Sequence, residues 1–126
     1  MPDFRCAFFA RDYEASLAFY GDGLGLETVD SWARGPDDRG TLFTAASGII
    51  EVLALPHEPE AGGVWDRREP AGVTLVIEVS EVDRLFERVV EKGLTVKEPL
   101  TEQPWGHRSF VLEDPDGVSL YCFSKS

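Results

Sequence analysis

The chain has only two cysteines, two histidines and one methionine in 126 residues. Cys6 and Cys122 stand at opposite ends with no Cys-x-x-Cys spacing, so neither a zinc knuckle nor a redox pair is indicated. Each lies in an apolar alternation, where a free thiol behaves as a small hydrophobe. A disulfide between them is conceivable, but the expected cytosolic setting argues against it. Long apolar runs are also missing. A run such as Gly48 to Leu55 is interrupted by Glu51, well short of the roughly 18 residues a membrane helix needs. The opening Met1-Pro2-Asp3 shows neither a basic stretch nor an apolar one, so no signal peptide is visible and a cytoplasmic location is expected.

Positive charge is scarce. Twelve Lys and Arg against 23 Asp and Glu leave a formal net charge of −11. Such a surface repels phosphate backbones, and the one basic pair, Arg67-Arg68, is flanked by Asp66 and Glu69. Nucleic acid and anionic membrane are therefore excluded as expected partners. The acidity either draws a cationic ligand or serves only solubility. The signatures of catalysis are missing as well. There is no Gly-x-Ser-x-Gly, no phosphate loop and no carboxylate pair on one helix face. Asp37-Asp38 and Asp114 with Asp116 read as turn chemistry, not as a calcium site. Nothing in the residues asks for a cofactor.

What is present is a repeated pattern. The length suits one domain, residues 1–126, and a hydrophobic fraction of 43% supports a core. Phe4 to Ala10 reads as a strand. Asp12 can cap a helix whose face is Tyr13, Leu17, Tyr20 and Leu24, ended by Gly21, Gly23 and Gly25. Leu26 to Ala33, Thr41 to Ala46 and Ile49 to Leu55 follow as strands, the last two joined at Ser47-Gly48. Pro56 to Pro70 is a Pro-rich connector. The pattern then restarts: strand Val73 to Val79, a helix capped by Ser80 with Val82, Leu85, Phe86 and Val89 inward, and strands Thr95 to Lys97, Arg108 to Leu112 and Val118 to Phe123. The last two strands are joined by the turn Glu113 to Gly117. The expected fold is α+β: two βαβββ modules (about 1–56 and 72–126, connector about 56–71) whose curved mixed sheets form a cup-shaped cavity with the helices outside.

Asp12-Tyr13-Glu14-Ala15-Ser16-Leu17-Ala18-Phe19-Tyr20 with Gly23-Leu24-Gly25-Leu26 resembles the first-helix signature of the vicinal oxygen chelate superfamily, which holds glyoxalase I, extradiol dioxygenases and bleomycin-resistance proteins. Gln103 to Arg108, then Asp114-Pro115-Asp116-Gly117, resembles the closing signature of the bleomycin-resistance-like branch. The resemblance implies four metal-ligand positions, on the first and last strand of each module. They fall on Arg5, Glu51, Thr74 and Tyr121. Only Glu51 could be a ligand; a guanidinium repels cations, and Thr and Tyr are poor neutral donors. The resemblance also implies a homodimer with sites built from both chains.

Side chains two apart share a strand face. Arg5, Ala7 and Phe9 should face the cavity, with Ile49, Glu51 and Leu53, then Thr74, Val76 and Glu78, then Ser119, Tyr121 and Phe123. Trp32, Phe43, Trp65, Trp105, Phe110 and Tyr121 are candidate wall aromatics, and His107 a candidate contact at the mouth. Arg5 and Glu51 either pair across neighbouring strands or both reach water at the strand ends. Trp65 is either a lid that stacks on a flat ligand or an anchor for the connector. These residues point to metal-independent binding and sequestration of a bulky, partly aromatic small molecule, such as an antibiotic, with no catalytic residue. The alternative is a metal-dependent lyase or dioxygenase drawing on Glu51, Glu78, His107 and Glu113.

Overall fold

β1 (Arg5–Ala10) runs parallel to β4 (Gly48–Ala54), with Arg5 opposite Ile49, Ala7 opposite Glu51 and Phe9 opposite Leu53. The second half repeats this pairing. β5 (Thr74–Glu78) runs parallel to β8 (Ser119–Lys125), with Thr74 opposite Ser119, Val76 opposite Tyr121 and Glu78 opposite Phe123. The computed structural model describes residues 3–57 and 67–126. β2 (Thr28–Gly35) and β3 (Asp38–Ala45) complete a sheet of order β1-β4-β3-β2; β6 (Thr95–Glu102) and β7 (His107–Glu113) complete one of order β5-β8-β7-β6. The two βαβββ modules expected from the sequence are therefore present.

Within each module the helix lies between the first and second strands in sequence, on one face of the sheet. α1 (Tyr13–Leu17) starts at Asp12, whose Oδ1 accepts the Ala15 N–H at 3.1 Å. After Leu17 the helix widens into a π-helical stretch, Ala18–Gly23, that still buries Phe19 and Tyr20. The glycines there do more than end a helix. A Cβ on Gly23 would press on Leu94, and one on Gly25, where φ is +75°, would meet the Arg88 guanidinium. Small residues let the second module close onto the first.

α2 (Val82–Glu91) buries Val82 and Val89 and half-buries Leu85 and Phe86. Ser80 is not its cap. The helix starts at Glu81, which makes no side-chain cap bond. The hydroxyl that takes the Val82 N–H, at 3.2 Å, belongs to Ser124 on β8, and it donates in turn to the Val79 carbonyl at 2.6 Å. β6 runs on to Glu102, beyond the short strand expected, because pairing with β7 holds it through register shifts on either side of Glu98. An edge position accommodates Pro99 there.

The core gathers both modules: Phe8, Tyr20, Phe43, Val52, Phe110, Leu112 and Leu120 are buried together. Arg88 crosses from α2 to the carbonyls of Asp22 (2.7 Å) and Gly23 (3.0 Å), and the Arg11 backbone N–H donates to Asp116 at 3.0 Å. The helical sides of the modules are stitched together, and the opposite faces of the two sheets are left for other uses.

Candidate functional site

The outward face of the first sheet holds an open cleft of about 1080 Å³. Its floor is apolar: Ala7 and Phe9 from β1, Leu53 from β4 and Trp32 from β2. Trp32 can lie flat on the sheet because residue 40, its partner across the β2–β3 ladder, is glycine; any Cβ there would collide with the indole. Arg34, two residues along β2, brings its guanidinium 5.9 Å from the Trp32 ring centroid. The descending chain from Arg67 to Val73 closes one side.

Arg5 and Glu51 meet on this face. Arg5 Nη1 lies 3.7 Å from Glu51 Oε1, and Arg5 Nε donates to Asp3 Oδ1 at 3.2 Å. The Arg5 side chain is about half-exposed while Glu51 is mostly covered. Pairing, and not separate escape to water, is the arrangement adopted. A carboxylate at the foot of an apolar cleft gains a cation close by, which lowers the cost of keeping it charged there.

Thr74, Trp105, His107 and Tyr121 occupy a second wall, the outward face of the other sheet, and none lines the cleft. Trp105 Nε1–H donates to the Tyr121 hydroxyl at 3.3 Å, and His107 Nδ1 lies 3.1 Å from the same oxygen. His107 also stacks on Phe123, ring centroids 3.9 Å apart and planes within 15°. The result is an aromatic ledge on which Trp105 and Val76 remain well exposed (61% and 65%). Among the described residues of one chain, the two walls do not share a cavity.

Two expected wall residues lie elsewhere. Phe43 and Phe110 point to the helical side and are buried in the core, Phe43 beside Tyr20 and Phe110 edge-on to Phe86. Register explains this. Phe43 lies opposite Ile50 and Phe110 opposite Cys122, both core positions, and side chains paired across a ladder share a face. Trp65 lies outside the described residues. Arg5 was expected on this face; the other arginines around the cleft, Arg34, Arg39, Arg67 and Arg68, carried no such expectation. Arg34 was available to the sequence reading, because it shares the face of Trp32 by alternation; Arg67 and Arg68 reach the cleft only through the path of the connector.

A sequence profile described as the Glyoxalase/Bleomycin resistance protein/Dioxygenase superfamily matches residues 4–120. The chain belongs to this superfamily. It is 30% identical to the uncharacterized protein YwkD of Bacillus subtilis (strain 168), over 94% of this chain and 93% of that one. Among solved structures, TioX from Micromonospora sp. ML1 superposes with a TM-score of 0.81 at 17% identity, covering all of both chains. TnmS3, an antibiotic binding protein from Streptomyces sp. CB03234, gives 0.76 at 19%, covering 100% of this chain and 97% of that one. At these identities the structural likeness shows the fold alone.

The four residues that the sequence resemblance assigns to chelating positions are a poor donor set for a metal. Arg5 sets a guanidinium against Glu51, the one carboxylate, and Thr74 and Tyr121 offer neutral oxygens on the other wall. The donors Glu78 and Glu113 each face a lysine at 3.9 Å instead, Lys125 and Lys97. Among the described residues no three His, Cys, Asp or Glu side chains gather as a metal site would require.

Proposed function

We propose that this superfamily member binds a bulky, partly aromatic small molecule in the cleft and sequesters it, without a metal and without chemistry. The observation that carries the reading is the Arg5–Glu51 pair set into an apolar, Trp32-lined cleft where a chelating member would converge its ligands. Such a cleft has the makings of a ligand site: a mostly apolar surface with a few placed polar groups. The fold shared with TnmS3, an antibiotic binding protein, favours an antibiotic as the ligand class. Protection by sequestration needs affinity and abundance only.

The two separate walls extend the proposal. In a homodimer the Trp105–Tyr121 ledge of one copy would face the Arg5–Trp32 cleft of the other, giving each site two sides. Purified protein should then contain no stoichiometric transition metal, and ligand should quench tryptophan fluorescence. About one zinc, nickel, iron or manganese per chain, retained after dialysis, would overturn the metal-free reading. A species of 14.0 kDa at micromolar concentration in sedimentation would overturn the dimer.

A further inference from the structure

We infer that the ligand of this cleft carries an anionic oxygen group, such as a carboxylate, sulfonate or phosphate, on a flat apolar body, and that Arg5 receives it. The inference rests on the cleft being the binding site proposed above and names the chemistry it selects. Charge around the cleft runs against the rest of the molecule. In a chain of net charge −11, five arginines and four carboxylates line this one surface among the described residues. Every cationic group there is a guanidinium and none is a lysine, and the planar fork of a guanidinium matches an oxyanion with two parallel donors.

The arginines differ in what they already hold. Arg34 is fixed on Asp38 by two hydrogen bonds, at 2.9 and 3.2 Å. Arg39 is held by Glu14 at 3.1 Å and by the Pro36 carbonyl at 3.2 Å, with its guanidinium over the Tyr13 ring. Arg5 has five N–H donors and, among the described residues, makes one hydrogen bond, through Nε, to Asp3. Its distance of 3.7 Å to Glu51 is too long for another. The Arg5 side chain, about half-exposed at the cleft, therefore has Nη donors to offer, and Phe9, Leu53 and Trp32 supply the apolar bed beside it. Glu51 holds the guanidinium on the cleft side and weakens its pull on an arriving anion, so it sets the affinity.

The test uses two matched probes, 1-anilinonaphthalene-8-sulfonate and its uncharged relative N-phenyl-1-naphthylamine, titrated into the full chain at low salt. Arg5→Gln should weaken the sulfonate about fivefold or more and change the neutral probe less than about twofold. Glu51→Gln should tighten the sulfonate by a larger factor than any change it makes to the neutral probe. Thermal melts should show that both variants fold, since Arg5 is about half-exposed and Glu51→Gln keeps the shape of the mostly covered side chain. Saturable binding of both probes that Arg5→Gln weakens equally, or leaves alone, would overturn the anion inference while keeping the cleft as a binding site. Failure of both probes to saturate would overturn the cleft reading, and the inference with it.

Discussion

Tyr20 and Asp114, 94 positions apart in the chain, are joined by a 2.7 Å hydrogen bond in which both partners are buried. Tyr20 lies in the π-helical stretch that follows α1, and Asp114 opens the turn between the last two strands. The other Asp114 oxygen accepts the backbone N–H groups of Asp116 (2.8 Å) and Val118 (2.9 Å). One carboxylate therefore shapes a turn and ties the two modules. Burial, and then the adjacent Asp114, push the Tyr20 phenol well above its ordinary range, so it stays a donor.

Tyr20→Phe removes the donor and keeps the ring. Asp114 then retains a buried oxygen without its partner, which costs about 1–3 kcal/mol. Urea denaturation should show the midpoint falling with the slope unchanged. An unchanged midpoint would mean that water replaces the hydroxyl.

Burial holds the Asp114 carboxyl above the usual carboxylate range, although its three hydrogen bonds pull the other way. The folded state thus keeps this proton more tightly than the unfolded chain does. The stabilisation linked to it is fully present below the ordinary value of about 3.9 and is lost as pH rises through the raised one. Carboxyl carbon titration by NMR should place the Asp114 midpoint above about 3.9. Stability of the wild type relative to Asp114→Asn should decline as pH rises through that midpoint. A midpoint below 3.9 would reverse the sign and refute this account.

Ser124→Ala should cost about 1 kcal/mol, the usual worth of a lost helix N-terminal cap, because its hydroxyl serves both Val82 and Val79. Ser80→Ala should stay within about 0.5 kcal/mol, as an exposed residue with no capping bond. Equilibrium denaturation of the two variants side by side checks this. Equal losses would return the cap to Ser80.

Phe110→Ala should lower stability by about 3–5 kcal/mol, the range for emptying a buried phenylalanine site. Molecules that remain folded should bind aromatic probes normally. Trp32→Ala should do the reverse, lowering probe affinity with a smaller loss of stability, since its indole covers the sheet over Gly40 at the cleft. Parallel melts and fluorescence titrations separate the two behaviours. Impaired binding by well-folded Phe110→Ala would put that ring back on the cleft wall.

Much of the fold was legible locally. Period-two alternation assigned Arg5, Ala7 and Phe9 to one face of β1 and Phe8 to the other, and Asp114-Pro115-Asp116-Gly117 announced its turn, with Gly117 at φ +86°. These features depend on backbone geometry within a few residues, so the chain itself carries them. Tertiary structure decided the rest. Whether Phe43 or its neighbour faced the cleft depended on the register of β3 against β4, which no local pattern states. The helix cap came from Ser124, 42 residues from the N–H it accepts, and the arginines around the cleft were gathered from β1, β2, β3 and the connector. Hydrogen bonds and charge interactions act through space, so groups far apart in sequence become partners only once the sheets have paired and the helices have closed over them.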